Sequence, residues 1–174
     1  MKSAWRALRA SFWGSLAFDA MFIIAFFVAV SMWQTRNLPD DEHTPSLELS
    51  WLDDMRAESV MVSGQTGVVY FFAPWCFYCR KSIDNLDELV ASGQLAWARV
   101  VALEYEDLDD VREFIEETGV HLPVLLGGPR TSEDWQIRGF PTYFVIDGDG
   151  RIVSRSVGYS TKIGLQARVW MNKN

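Results

Sequence analysis

The run GVVYFFA, residues 67–73, constrains the fold more than any other stretch of the chain. A strand with one face in water alternates apolar and polar residues, whereas this run is apolar throughout. It therefore predicts a strand that is buried on both faces, in a sheet with helices above and below it. Apolar residues make up 49% of the sequence, which is enough for a packed core.

Strand and helix signals alternate along the rest of this region. Residues 76–92 carry apolar side chains at helical spacing and are followed by Gly93, a residue type that often ends helices. Further helices are predicted at 50–59, 107–119, 132–139 and 160–172, and further strands at 46–49, 96–105, 123–127, 142–146 and 151–158. This order predicts parallel pairing in the first half and antiparallel pairing in the second, in an α/β fold.

Residues 12–33 form an apolar segment of 22 residues with one charge, Asp19. As a helix with a rise of about 1.5 Å per residue, the segment spans roughly 33 Å, close to the thickness of a bilayer's hydrocarbon core. Trp13 and Trp33 lie near its ends, where aromatic residues of transmembrane helices contact the interface. The segment is predicted to be a transmembrane anchor. A cleaved signal peptide, with its small-residue site at 29–31, is the alternative.

Three cations, Lys2, Arg6 and Arg9, precede this apolar segment. Because positive charge keeps short flanking segments in the cytoplasm, residues 1–11 are predicted to be cytoplasmic. The rest of the chain then lies across the membrane. In a bacterium with two membranes, the anchor is in the inner membrane and the body of the protein is in the periplasm.

Beyond the apolar segment the chain is acidic, with 13 Lys and Arg against 22 Asp and Glu from residue 34 onward. An acidic protein does not attract the phosphate backbone, so no nucleic-acid partner is expected. Residues 34–46 are polar and contain two prolines. They are predicted to be an extended linker that leads to a domain at 47–174.

The two cysteines of the chain, Cys76 and Cys79, have C-x-x-C spacing. Structural zinc needs four ligands, and the two histidines, His43 and His121, form no second ligand pair. No metal site and no cofactor are therefore expected, although two thiolates alone can bind copper(I). A purely structural disulfide between these positions closes a very short loop and stabilises the fold little.

The surroundings of the pair favour a reactive dithiol. Cys76 follows a buried strand and begins a helix, where free N–H groups and the helix dipole stabilise a thiolate. Arg80 and Lys81 add positive potential one turn further on. Cys76 is therefore predicted to be the attacking thiol, and Cys79 to displace the mixed disulfide that forms. Trp75 is predicted to shield the pair while one face stays open.

The strand VVYFFA leads into PWCFYC, and GFPTYFVIDGDGRIV follows further along the chain. With these motifs, residues 47–172 resemble the thioredoxin superfamily, most of all the membrane-anchored periplasmic thiol-disulfide oxidoreductases of the TlpA/ResA/DsbE type. The resemblance implies a thioredoxin-like fold, a central mixed sheet with helices on both faces, behind one N-terminal transmembrane helix. It implies that Cys76 and Cys79 form a redox-active disulfide and that Pro141 is the cis-proline that packs against it.

The same resemblance implies that Phe140, before the proline, pairs with the backbone of a substrate and that Trp75 is part of the substrate-binding surface. Two positions depart from thioredoxin: the dipeptide between the cysteines is Phe77-Tyr78 rather than Gly-Pro, and Tyr70 replaces a buried aspartate. A proton acceptor for the second cysteine then has to come from elsewhere. Relatives of the ResA type carry an acid just after the second strand, where this chain has Glu104, Glu106 and Asp107. Glu106 is our candidate, and the alternative is that all three are solvated acids at a helix N-terminus.

The resemblance implies a membrane-tethered enzyme that exchanges disulfides with protein substrates. Tethered relatives mostly act as reductants that receive electrons from a transmembrane thiol reductase, so we expect that direction and that partner. No G-x-P-E-T pattern surrounds Pro141, so cytochrome c maturation is not favoured. The alternative function is that of an anchored binding module, a chaperone or copper-handling protein whose thiols hold a ligand without turning over.

Overall fold

The computed structural model describes residues 12–36, 38, 44–45 and 48–172, which fall into two units. The first unit contains one helix, α1 (Phe12–Thr35). Its part Leu16–Thr35 has a mean hydropathy of 2.1 and is not buried, so by length and composition it is able to cross a membrane. A signal sequence has the same properties. The predicted cytoplasmic segment 1–11 lies outside the described residues.

The second unit is built on a seven-stranded mixed sheet. Its strands are β1 (Glu48–Trp51), β2 (Ala57–Ser59), β3 (Gly67–Phe72), β4 (Ala98–Ala102), β5 (Val124–Leu126), β6 (Thr142–Ile146) and β7 (Ile152–Val157). Their order in the sheet is β2-β1-β5-β4-β3-β6-β7. Strands β3, β4 and β5 are parallel, and the remaining neighbours pair antiparallel. The predicted parallel and antiparallel parts are thus present, with an antiparallel hairpin added beside β5.

The helices of this unit are α2 (Phe77–Arg80), α3 (Ile83–Ala91), α4 (Leu108–Thr118), α5 (Pro129–Asp134) and α6 (Lys162–Met171). Strand β3 is buried on both faces, as its apolar sequence predicts. Val68, Tyr70 and Phe72 pack with residues of α3, α4 and α6, whereas Val69 and Phe71 pack in a second cluster that contains Trp135, at the end of α5. The domain therefore has one core on each face of its sheet.

Helix α4 shows why some elements are readable from sequence. Asp107 is its N-cap and accepts hydrogen bonds from the backbone N–H groups of Asp109 and Asp110. Gly119 ends it in the left-handed conformation, at φ 63°. Both residues cap backbone groups that are close to them in sequence, so their effect can be predicted locally. The predicted helix at 107–119 is correct.

The helix predicted at 50–59 is wrong, because this segment forms the hairpin of β1 and β2. Trp51 is in a strand, its N–H donates to the carbonyl of Arg56, and Met55 adopts a positive φ of 57° in the turn. Strand β1 also pairs with β5, which is more than seventy residues further along the chain. The helical signals of the segment are local, and the partner strand that overrides them is distant.

Two described residues of the predicted linker, Leu38 and Thr44, belong to the second unit and are hydrogen-bonded to residues near its last strand. Leu38 is 6% exposed, and its carbonyl accepts a hydrogen bond from Arg155 Nη1 at 2.8 Å. The N–H of Thr44 donates to the carbonyl of Gly150 at 2.9 Å. The chain is thus already held against the sheet at these points, ahead of β1.

Candidate active site

The loop after β3 brings the two cysteines together as a disulfide, with their Cα atoms 5.3 Å apart. Cys76 is the N-cap of α2, in an extended conformation, and its Sγ accepts a hydrogen bond from the N–H of Cys79 at 3.1 Å. The N–H of Cys76 donates to the carbonyl of Ala73 at 3.0 Å. The first cysteine is therefore held at a helix N-terminus by backbone contacts close to it in sequence.

The two cysteines are enclosed to different degrees. Cys79 is fully buried and Cys76 is 4% exposed, so the small solvent access to the pair is at Cys76. Trp75, Phe77 and Tyr78 are each more than 60% exposed. The bulky dipeptide between the cysteines therefore points its rings outward and forms, with Trp75, an aromatic rim around the disulfide.

The predicted substrate-binding residues, Trp75 and Phe140, lie together. Their rings pack edge to face with centroids 5.8 Å apart, and Phe140 also packs against the core cluster that contains both cysteines. The Phe140–Pro141 peptide bond is cis, and Pro141 is buried at the start of β6. Segments that are about 65 residues apart in sequence thus meet beside the disulfide.

Arg80 has a role that the sequence analysis missed. Its Nη2 donates to the carbonyl of Pro74 at 2.8 Å, and its guanidinium lies 5.3 Å from the ring centre of Phe114 and forms an ion pair with Glu117. It therefore joins the cysteine loop to α4. Because Glu117 compensates its charge, Arg80 adds less positive potential at Cys76 than the sequence suggests.

A groove of about 600 Å³ runs along the cysteine loop and is mostly acidic. It is lined by Pro74, Trp75, Arg80, Glu104, Glu106, Asp110 and Glu113. Glu106, the predicted proton acceptor, is exposed on this groove, and its backbone N–H donates to Asp110 Oδ2 at 2.9 Å. It therefore lies at the surface beside the aromatic rim, whereas Cys79 is enclosed.

Tyr70 occupies the position of thioredoxin's buried aspartate and is itself fully buried. Its hydroxyl donates to the carbonyl of Cys79 at 3.2 Å and lies 3.1 Å from Ser82 Oγ. Burial raises the pKa of Tyr70 well above its ordinary value, so the phenol keeps its proton and is no base for a thiol. Ser82 was missed by sequence analysis, since a serine within a helical pattern carries no signal of its own.

The described part of the chain contains no group of three or more His, Cys, Asp or Glu side chains that could hold a metal ion. What the site offers is a disulfide at a helix N-terminus, an aromatic rim and an acidic groove. This arrangement suits thiol-disulfide exchange. In the oxidised protein a thiol would attack the disulfide at Cys76, and in the reduced protein the Cys76 thiolate would attack another disulfide.

Comparison with known proteins identifies the family. The model of the AhpC/TSA family matches residues 41–155, which is well over half of the chain. The chain belongs to the AhpC/TSA family. This AhpC/TSA chain has the thioredoxin-like α/β fold that the resemblance around the cysteines predicts, and that prediction is confirmed.

Individual relatives of this AhpC/TSA chain agree in name. The thiol-disulfide oxidoreductase ResA of Bacillus anthracis is 25% identical over 127 residues, which cover 72% of this chain and 73% of ResA. The thiol:disulfide interchange protein CycY of Rhizobium leguminosarum bv. viciae is 32% identical over 108 residues, covering 60% of this chain and 56% of CycY.

Among solved structures, a thiol:disulfide interchange protein of Chlorobium tepidum superposes with a TM-score of 0.65 at 26% identity, over 76% of this chain and 97% of that protein. With the C-x-x-C disulfide in place, these relatives support oxidoreductase activity. The chain is a thiol-disulfide oxidoreductase of the ResA, CycY and DsbE type.

Proposed function

We propose that this protein is a membrane-tethered reductant that exchanges disulfides with protein substrates in the bacterial periplasm. The observation that carries the proposal is the asymmetry of the disulfide. Cys76 caps α2 at the edge of an exposed aromatic rim, and Cys79 is enclosed one turn further on. In a pair of this kind the accessible sulfur reacts with the substrate, and the enclosed sulfur then displaces the substrate from the mixed disulfide.

In the reductive direction the cycle begins with both cysteines as thiols. The Cys76 thiolate attacks one sulfur of a substrate disulfide, that bond breaks, and the other substrate sulfur leaves as a thiolate and takes up a proton. Cys79 then loses its proton and attacks the Cys76 sulfur. The substrate leaves as a dithiol, and the Cys76–Cys79 disulfide remains. The two electrons gained by the substrate come from the cysteine pair.

The residues around the disulfide receive roles in this cycle. Phe140 and Trp75 bind the polypeptide on either side of the substrate's reacting sulfur, and an extended segment pairs with the free backbone edge at residue 140. Pro141 has no N–H and lines this part of the site without competing for the substrate's hydrogen bonds. The contact of the Trp75 and Phe140 rings supports the assignment, because it joins the two surfaces.

Glu106 is proposed as the acceptor of the Cys79 proton. Its exposure on the groove that borders Trp75 supports transfer by way of water in that groove, since Glu106 is at the surface and Cys79 is enclosed. Tyr70, with its raised pKa, is unsuited to this task.

The tether is proposed to be α1, retained in the inner membrane with residues 1–11 in the cytoplasm. Its length and hydropathy support this role. A transmembrane thiol reductase is the proposed electron donor. The tether would hold the domain at the periplasmic face of the inner membrane, where such a reductase delivers its electrons. A reporter that is active only in the periplasm, fused after residue 174, should be active in the membrane fraction. A soluble product that begins near residue 32 would show a cleaved signal peptide instead.

The exchange activity is tested by trapping. Full-length Cys79→Ser protein, expressed with periplasmic targeting intact, should accumulate disulfide-linked adducts with substrate proteins, because no second thiol releases them. Cys76→Ser protein, the matched control, should form few or none. If the protein only holds a ligand, both changes reduce binding equally and neither variant accumulates adducts, which would contradict the proposal.

A further inference from the structure

The buried hydroxyl groups beside Cys79 form a small polar cluster in an otherwise apolar core. Tyr70 lies on the central strand β3, and Ser82 lies in the break between α2 and α3. Both residues are fully buried. A buried polar group is costly unless it is hydrogen-bonded, so the cluster needs a structural or functional reason.

The hydrogen bonds of the cluster can be assigned from the distances. Ser82 Oγ lies 2.8 Å from the carbonyl of Tyr78 and donates its proton there. The single proton of Tyr70 is then shared between the carbonyl of Cys79, at 3.2 Å, and Ser82 Oγ, at 3.1 Å. The phenol therefore acts as a donor to the backbone of the second cysteine.

These contacts fix the backbone of Cys79 from two directions. Its carbonyl also accepts a hydrogen bond from the N–H of Ser82 at 3.2 Å, where the predicted continuous helix 76–92 is interrupted. The hydrogen bond from Tyr70 thus links the break between α2 and α3 to the central strand β3. Cys76 is held differently, through Ala73, its own capping bond and the N–H of Arg80, and among the described contacts no hydrogen bond joins it to Tyr70 or Ser82.

We propose that Tyr70 and Ser82 are positioning residues for Cys79, which keep its sulfur within reach of the Cys76 sulfur during substrate release. The inference rests on the proposed exchange reaction and adds residues to its second step. Holding both thiols in place raises their effective concentration towards each other. The cluster should therefore accelerate the attack of Cys79 on a mixed disulfide and favour the closed disulfide over the dithiol, while leaving the first attack by Cys76 unchanged.

A neutral donor at this position also has a consequence for the pH profile. A buried carboxylate beside the second cysteine would titrate and add its own pKa to the release step. Tyr70 stays protonated, so it contributes no titration to that step below the ordinary phenol range. The Tyr70→Phe variant should then release substrate more slowly with an unchanged pH profile, which a general loss of stability does not produce.

The test uses full-length protein in detergent, with glutathione disulfide as the probe. Formation of the glutathione adduct on Cys76 is measured in the Cys79→Ser background, and release of glutathione is measured with both cysteines present. Tyr70→Phe should slow release by about five- to tenfold, the loss expected for one buried hydrogen bond, and shift the equilibrium towards the dithiol by a similar factor. Adduct formation should stay within about twofold of the unmodified protein.

Tyr105→Phe is the control. Tyr105 packs against the same core cluster as Tyr70, and burial raises the pKa of its phenol without a contribution from Tyr70 or Ser82. Removing that hydroxyl should leave release within about twofold. Ser82→Ala should slow release in the same direction as Tyr70→Phe, and it decides the question if Tyr70→Phe does not fold.

Three results overturn the inference: unchanged release in Tyr70→Phe and Ser82→Ala, an equal slowing of adduct formation and release, or an equal effect of Tyr105→Phe. A different result overturns the proposed function itself, and the inference with it. In that case the protein with both cysteines intact forms no adduct with glutathione disulfide and releases none.

Discussion

Cys76 and Cys79 are three residues apart, yet the protein holds them in different ways. Cys76 lies at a helix N-terminus beside an exposed aromatic rim, and its hydrogen bonds within the described part of the chain join it to neighbours between Ala73 and Arg80. Cys79 is enclosed, and Tyr70, on the central strand, donates to its carbonyl. The comparison teaches that a short motif can position the first cysteine by itself, whereas the position of the second depends on residues elsewhere in the fold.

The two sides also differ in charge. The loop that leads to Cys76 borders a groove with four acidic side chains, whereas the hydrogen-bonding side chains beside Cys79 are the neutral hydroxyls of Tyr70 and Ser82. A proton that leaves Cys79 therefore has to pass from a neutral, buried environment to an acidic, exposed one. This difference makes the acids of the groove the first place to test the comparison.

Glu106→Gln is the change with the largest expected effect among those that leave both cysteines in place. If Glu106 accepts the proton of Cys79, glutathione release should slow by roughly tenfold or more at neutral pH. Adduct formation on Cys76 should be unaffected. Glu113→Gln, which removes another acid from the same groove, is the control. Equal effects of the two variants on release, or none, would rule out Glu106 as the acceptor.

Arg80 is the exception on the side of Cys76, since it connects the cysteine loop to a distant helix. Arg80→Met removes its hydrogen bond to the carbonyl of Pro74 and its ion pair with Glu117. We expect the free energy of unfolding to fall by about 1–2 kcal/mol, because the guanidinium is partly buried and also packs on an aromatic ring. Urea unfolding of the full-length protein in detergent measures the change.

The matched control for Arg80 is Arg112→Met. Arg112 pairs with Asp109 within one helix turn of α4, and the side chains are 56% and 86% exposed. Loss of such a pair should change the free energy of unfolding by less than about 0.5 kcal/mol. Equal losses in the two variants would mean that Arg80 does not join the loop to α4 in any energetically important way.

The features that could be predicted from the sequence depend on contacts between residues close in sequence, and those that could not depend on contacts between distant residues. The doubly buried β3, helix α4 and the position of Cys76 at a helix start depend on neighbouring residues, and all were predicted. The contact of Tyr70 with Ser82 and the ion pair of Arg80 with Glu117 join residues 12 and 37 positions apart. No pattern within one segment indicates such partners, so these parts of the site required the folded structure.

The smallest expected effect lies away from both cysteines, on the β2 hairpin. A hydrogen bond from Arg99 lowers the pKa of the Glu58 carboxyl below its ordinary value of 4.5. Because the pKa is lower in the folded than in the unfolded protein, the resulting stability is fully present above about pH 4.5 and is lost as the pH falls through the folded-state pKa. Glu58→Gln should therefore flatten the loss of stability below that pH.

The same Glu58→Gln variant should leave glutathione adduct formation and release unchanged at neutral pH. Unfolding by urea, followed at several pH values between about 3 and 7, measures the first effect. If the variant also slows release, the hairpin is coupled to the active site. If it loses stability at acid pH as steeply as the unmodified protein, the assignment of this pH dependence to Glu58 is wrong.

The most direct test of the account is the difference in reactivity between the two thiols. The reduced full-length protein is treated with iodoacetamide at neutral pH for increasing times, and the modified cysteine is located by mass spectrometry. Cys76, which caps α2 at the rim, should be alkylated at least tenfold faster than the enclosed Cys79, since the thiolate fraction and the access both favour it. Equal rates, or faster modification of Cys79, would contradict the assignment of the attacking and releasing cysteines.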